Sequence, residues 1–370
     1  MKEKKKFRYQ EVYEDIFSGI IQGKFPIHTF LPSEKTLCRL YAVERTTVRK
    51  ALDLLVKDGV VRKVQGIGSK VIGTTIVKTA KNCEENLSDS ILFLLATTPE
   101  RNDRITQPFY SSLFFNIEKT LRKVGYKTIY SRLSANDDME SIFHQDNYAG
   151  VMFSSYGITN QQITYLKNEN IPFVCINSEQ SHAINISSDH FLGAYKIGKY
   201  ICQLHHKKIA RIKGRENEAS CFYRTAGLNM AFYEEGLDLS TIKDIESNWT
   251  AEDAYIKTKQ FLLDNQNDLP SVIIAYNDDM AFGCMKAIHE RGLKIPEDVS
   301  LCGYDNVEQS KFCIPPLTTF HNDIISISDT AIHFLLSQIN GEKFSDIKIK
   351  ISGKLIKRDS LAPYDEHQLK

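Results

Sequence analysis

The chain has 370 residues, 42% of them hydrophobic and 25% charged, and a formal net charge of +1. These values exclude a disordered or collagen-like chain and allow two or three domains with well-buried cores. The near-balance hides an asymmetry: residues 1–82 hold 17 Lys and Arg against 8 Asp and Glu, and the remainder holds 30 against 38. A basic end on an acidic body points to a polyanion-binding module joined to something else.

The start, "MKEKKKFRYQEVYEDI", is charged with no apolar stretch behind it, so no secretory leader is expected. No apolar run approaches the ~18 residues that a membrane span needs. Eight scattered cysteines, with no CxxC pair and several inside apolar runs such as "IPFVCIN", read as free thiols in a reducing compartment. The expected location is the cytoplasm, with no membrane partner.

Tyr9 to Gln22 sets Val12, Ile16 and Ile20 at helical spacing. "GKFPIHTFLPS" reads as a loop whose Ser33 caps a second helix holding Leu37, Leu40 and Tyr41. A turn at Ala42 and Val43 leads into a third helix, Arg45 to Lys57, with Val48, Ala51, Leu52 and Leu55 inward and Gly59 as its stop. "VVRKVQGIGSKVI" then alternates into a basic hairpin around Gly66 and Gly68. Three helices and a basic hairpin form an α+β winged helix-turn-helix. Such a module puts one helix in the DNA major groove and its wing on the backbone or minor groove.

"LPSE", "YAVERTTVRKALDLLVKDGVV" and "GIGS" together resemble the GntR-type winged-helix signature, over residues 8–73. The resemblance implies DNA contacts from Lys35, from Arg45, Thr46, Thr47 and Arg49 on the third helix, and from Gln65 and Gly66 in the wing. It also implies phosphate contacts from Arg8 and Tyr9. Arginine suits such roles because its fork gives two parallel hydrogen bonds to guanine or phosphate. Glu44 departs from the family's usual Ser, and an acid there repels phosphate.

Residues 74–88 read as a polar linker between a 1–73 head and an 89–370 body. In the body, apolar runs such as "ILFLLAT", "GVMFSS", "IPFVCIN", "SVIIAYN" and "DVSLCGY" alternate with amphipathic stretches. That alternation predicts α/β architecture: two parallel-sheet half-domains facing a cleft, with the ligand at the carboxyl ends of the strands. Asp278 and Asn306 suit helix caps; Asn277 and Asp305, the first polar groups after apolar strands, suit a ligand as well as a cap.

"AYNDDMAFGCMKAIHERGLKIPEDVSLCGYDN" and "PPLTTF" resemble the LacI/GalR-type, periplasmic-binding-protein-like effector domain, over residues 89–360. The resemblance implies chain crossings between half-domains near residues 204 and 320. It implies sugar contacts from Asp189, Arg224, Trp249, Asn277 and Asp305, with Phe109, Tyr110 and Asn322 as further positions. Arg and Asp together satisfy a sugar hydroxyl as both acceptor and donor. Trp249, the only tryptophan, either packs in a core or offers a flat apolar face to a sugar's C–H groups. The hinge helix of LacI proteins is absent from 74–88, and the C-terminal "LIKRDSLAPYDEHQLK" has no leucine heptads.

A GntR-type head on a LacI-type body is similar to the arabinose-repressor branch. That likeness implies a homodimeric repressor on palindromic operator DNA, released by a monosaccharide such as L-arabinose or L-fucose. An activator, or a regulator answering a non-sugar molecule, are the alternatives. No enzyme, cofactor or metal is expected: Walker, GxSxG and GxGxxG patterns are missing, and His205–His206 reads as a solvated pair.

Overall fold

The computed structural model describes residues 8–21, 24–25, 29–58, 60–64, 68–71, 89–97, 104–145 and 147–364. Gly59, Gln65, Gly66 and the 74–88 linker lie outside these described residues. The chain forms two compact units, Met1–Leu87 with Lys123–Gly125, and Ser88–Arg122 with Tyr126–Lys370.

The first unit holds α1 (Arg8–Ile21), α2 (Glu34–Tyr41), α3 (Arg45–Lys57), β1 (Val61–Val64) and β2 (Gly68–Val71). Ser33 caps α2 by accepting from the Thr36 N–H at 3.2 Å, and Ala42 ends it in the left-handed region at φ 50. The predicted stripe of α3 (Val48, Ala51, Leu52 and Leu55) is fully buried with Val12, Ile16 and Ile20 of α1 and Leu37 of α2. Those amphipathic faces hold the unit together, since helices this short are marginal alone. β1 and β2 pair antiparallel, with Val61 opposite Val71. The segment read as a loop, around Phe30, instead lies beside β2: the Leu31 N–H donates to Ser69 O at 2.8 Å, and the Val71 N–H to Thr29 O at 2.9 Å. Pro26 and Pro32 masked that short pairing in the sequence pattern.

The second unit begins with β3 (Ser90–Ala96), α4 (Pro108–Lys123), β4 (Lys127–Leu133), α5 (Met139–Gln145), β5 (Gly150–Ser154), α6 (Asn160–Asn168), β6 (Phe173–Ile176) and β7 (Ile184–Ser188). Helix α7 (His190–Gln203) leads to β8 (Ile209–Lys213), α8 (Ala219–Glu234), β9 (Lys243–Glu246), α9 (Ala251–Asp264), β10 (Val272–Ala275), α10 (Asp278–Glu290), β11 (Ser300–Asp305) and β12 (Thr318–His321). α11 (Ile324–Ile339), β13 (Ile347–Ile351) and β14 (Lys354–Ile356) complete it.

Two six-stranded sheets result, ordered β4-β3-β5-β6-β7-β13 and β9-β8-β10-β11-β12-β14. All pairings in them are parallel except β12 with β14. Strands such as "GVMFS" and "VIIA" are buried along their whole length, the continuous apolar signature of sheets covered on both faces. Each lobe repeats one topology, in which the order reverses beside its first strand. That reversal opens a crevice at the strands' carboxyl ends. The chain passes between lobes between β7 and α7, after β12, and again between β13 and β14. The first passage lies near residue 189 and not near 204 as expected, because Ala194, Ile197 and Ile201 of α7 pack in the second lobe's core. The third passage, at Ser352–Gly353, carried no signal in the sequence because β13 and β14 are short, contain lysines and are only half-buried.

Candidate functional site

In the head, Arg45, Thr46 and Arg49 are exposed on α3, Thr47 is half-buried, and Lys35 is exposed on α2. Arg8 is exposed and Tyr9 half-buried at the start of α1. Glu34 gathers the two arginines: its carboxylate accepts from Arg45 Nε at 2.6 Å and from Arg49 Nε at 3.1 Å. The bond from Arg45 is the main reason the Glu34 carboxyl lies below its usual range. Both arginine side chains keep more than half of their surface in water, so these pairs are weak and easily exchanged for DNA. Glu44 stands at the N-cap of α3 without a side-chain cap bond. It is an exposed acid there, compatible with the helix's positive end.

In the body, a cleft of about 640 Å³, open solvent at its mouth included, lies between the lobes at the strands' carboxyl ends. From the first lobe Phe109 and Tyr110 enter at the start of α4, Tyr156 follows β5, and Asn177 follows β6. From the second lobe come Glu218 before α8, Arg224 within it, Trp249 before α9, Asn277 and Asp279 around the start of α10, and Asp305 ending β11. His190, opening α7, completes the floor. Six of the eight residues expected at the effector site therefore share one cleft. Asp189 and Asn322 are not among its lining residues. Asp189 caps α7, accepting from the Leu192 N–H at 2.9 Å. Asn322 stands behind Asp305, donating to its Oδ1 at 2.7 Å.

Arg224 is the hub. It is 5% exposed, its guanidinium lies 3.7 Å from the centre of the Tyr304 ring, and it donates to Tyr276 O. Its Nη2 lies 3.4 Å from His190 Nδ1 and 3.6 Å from Asp305. Its Nε, buried, has no partner. Burial, then the nearby Arg224 charge, holds the His190 imidazole well below its usual range, so this ring is neutral. Burial pushes the Asp305 carboxyl up to about 7, against the opposing pull of Arg224.

The rim is also backbone-strained. Trp249 has φ 72 and Asp305 φ 110, conformations that cost side-chain-bearing residues energy and gather where function demands them. Trp249 is 5% exposed, so it packs and lines the cleft at once. It lies directly over Gly214, where a Cβ would come within 1.9 Å of its ring. Its carbonyl accepts from Asn277 Nδ2 at 3.1 Å, while Asn277 Oδ1 caps α10 through the Met280 N–H at 2.7 Å. Asn277 is thus a cap and a cleft residue together.

Two expected caps behave otherwise. Asp278 is fully buried, accepting from the Val307 N–H at 2.8 Å and the Thr319 hydroxyl at 2.6 Å, and braces the loop beyond β11. Asn306 accepts from Arg358 Nη2 at 2.6 Å instead of capping a helix. His205 and His206 are not a solvated pair: His206 is buried between the Ser271 hydroxyl and Ala362 O, because the C-terminal segment folds over it. Asn177 was legible by the rule that picked Asn277, the first polar group past an apolar strand, whereas Tyr156 stands behind Ser154 and Ser155. Glu218, Asp279 and His190 carried no such signal. Among the described residues no group of His, Cys, Asp and Glu could hold a metal ion, and no helix is long and apolar enough to cross a membrane.

Residues 8–71 match the family model for bacterial regulatory proteins of the gntR family, and residues 199–361 that for a periplasmic binding protein-like domain. The HTH-type transcriptional repressor PurR of Haemophilus influenzae is 27% identical over 344 residues, spanning 88% of this chain and 98% of that protein. The PurR of Pasteurella multocida is 28% identical over 262 residues, 69% of this chain and 78% of its own. Among solved structures, a LacI family regulator from Enterococcus faecium with bound ribose superposes with a TM-score of 0.68 at 24% identity, covering 74% of this chain and all of its own. The lac repressor dimer bound to operator and the anti-inducer ONPF gives 0.64 at 22% identity, covering 75% and 95%. The relatives are repressors and regulators, not enzymes.

Proposed function

Because the chain joins a gntR-family DNA-binding domain to a periplasmic-binding-protein-like domain, we propose that it represses carbohydrate-use genes and leaves its operator when a monosaccharide fills the cleft. The observation that carries the sugar half is the Arg224–Asp305 couple beneath Trp249. It offers a donor and an acceptor to adjacent hydroxyls and an apolar plane to the ring's C–H face. The DNA half rests on the exposed Arg45, Thr46 and Arg49 of α3 and the lysines nearby. Gln65 and Gly66 of the wing join them through the family resemblance.

The repressor works in the cytoplasm as a homodimer, since one winged helix reads only a short half-site and a palindrome needs two. Light scattering of the free protein should then give about twice the chain mass of 42.3 kDa. The effector acts by preferring one closure state of the lobes, because a ligand shifts an equilibrium only through unequal affinity for its states. Asp189 and Asn322 serve the site from behind, setting the start of α7 and the carboxylate of Asp305.

The test is a monosaccharide screen read by Trp249 fluorescence and by release of labelled operator. Ribose, held by the Enterococcus faecium regulator, goes first, with other aldopentoses such as L-arabinose and 6-deoxyhexoses such as L-fucose beside it. A sugar that saturates the fluorescence and releases DNA over the same range establishes the reading. Release by no sugar refutes it.

A further inference from the structure

Among the described residues lining the cleft, Arg224 is the one cation, facing the carboxyl groups of Glu218, Asp279 and Asp305. Its charge is already shared with Asp305 at 3.6 Å and with the Tyr276 carbonyl. Its Nε has no partner and is itself buried. That inventory suits a hydroxyl and falls short of a phosphate, whose binding sites converge several donors on the oxygens.

The positions of the two remaining acids are the more telling fact. Helix N-termini are the ready-made anion seats of such folds, through their open N–H groups and the positive end of the dipole. Here α8 opens at Glu218, which is its N-cap, and α10 carries Asp279 in its first turn. Both carboxyl groups line the cleft, so the chain's own acids face it from the starts of α8 and α10, while α4, which opens on the cleft from the first lobe, has no acid in its first turn. The start of α7 is occupied by the Asp189 carboxylate at 2.9 Å from the Leu192 N–H. His190 beside it is held neutral and adds no positive charge.

We propose that Glu218 and Asp279 form a charge filter in the effector site, admitting an uncharged polyol and rejecting its phosphate ester. The inference rests on the sugar-effector reading above. It places the signal ahead of any kinase step: the effector is a sugar delivered by unmodified import or by hydrolysis of a glycoside, and phosphorylating it ends the signal.

The full-length protein is titrated with neutral aldoses, their phosphate esters and inorganic phosphate, reading Trp249 fluorescence and the melting temperature. The phosphate ester of any sugar that binds should bind at least about a hundredfold more weakly, as expected for a multiply charged anion beside fixed acids. Inorganic phosphate should leave Trp249 silent. In the Glu218→Gln/Asp279→Asn variant, both the ester and inorganic phosphate should gain at least about tenfold, with the neutral sugar changing less. The two single variants, checked for folding by circular dichroism, replace the double variant if it does not fold, each with a part of that gain. An ester that matches its parent sugar, a phosphate response in the parent protein, or no gain for phosphate on neutralising the acids would each overturn the filter. The inorganic phosphate arm decides it even if every sugar fails, an outcome that removes the sugar reading alone.

Discussion

The head and the cleft both present arginine to an oxygen-rich partner, yet they hold it in opposite ways. Arg45 and Arg49 project from one helix with 67% and 53% of their side-chain surface exposed, and a single neighbouring acid, Glu34, gathers them. Arg224 is 5% exposed, stacked on Tyr304 and held by groups from other elements. The difference matches the ligands proposed. A duplex brings dense charge and repays counterion release, so exposed, mobile cations suffice. A neutral sugar brings only hydroxyls, so its partners must be desolvated beforehand and held in place.

The largest effect that bears on this contrast is expected in the head. Arg45→Ala with Arg49→Ala should lower operator affinity by about 1–3 kcal/mol for each arginine that reads a guanine, measured by fluorescence anisotropy. Sugar affinity should not move. Added salt should weaken operator binding steeply, with a log–log slope of ~0.9 per neutralised phosphate, and leave sugar binding nearly flat. Operator binding by the double variant at parental affinity would end the assignment of α3.

Next in size come changes in the cleft. Gly214→Ala puts a methyl within 1.9 Å of the Trp249 ring, and overpacking of this kind costs about 1–3 kcal/mol. Because the misfit falls on a cleft residue, sugar affinity should drop about tenfold or more, and the resting tryptophan emission should shift. Asp305→Ala should lower it by a similar factor, through loss of a charge-assisted hydrogen bond. An Asp305→Ala protein released from operator by the parental sugar concentration would show that the effector sits elsewhere.

A smaller, signed effect follows from pH. The Asp305 carboxyl, at about 7 when folded, stands above the ~4 of an unfolded aspartate. The folded chain therefore keeps a proton that the unfolded chain has released, and its stability falls as pH rises between those values. Asp305→Asn should raise the melting temperature at pH ~8 and leave it nearly unchanged at pH ~4. Sugar affinity of the parent should move the other way, rising through pH ~7 as the carboxylate becomes available to hydroxyl donors. The smallest change is Ser33→Ala, which removes the cap of α2 and should cost the head about 0.5–2 kcal/mol without touching the cleft.

The sequence by itself determined the head almost completely. Its apolar repeat in α3, its Ser33 cap and the charged residues between them are near neighbours in the chain, and helix geometry alone sorts them into inner and outer faces. It also determined most strands of the body, whose unbroken apolar runs have no alternative but burial. Tertiary structure alone decided the cleft. Asp278 and Asp279 are adjacent acids at one helix start, but Asp278 is fully buried under the loop beyond β11, while Asp279 lines the cleft. His206 shows the same dependence, since only the return of the C-terminal segment buries it. Periodicity within one segment carries no information about which distant segment will desolvate a side chain. Burial and convergence of charge, which give Arg224, Asp305 and Glu218 their chemistry, exist only once distant segments of the second lobe have folded together.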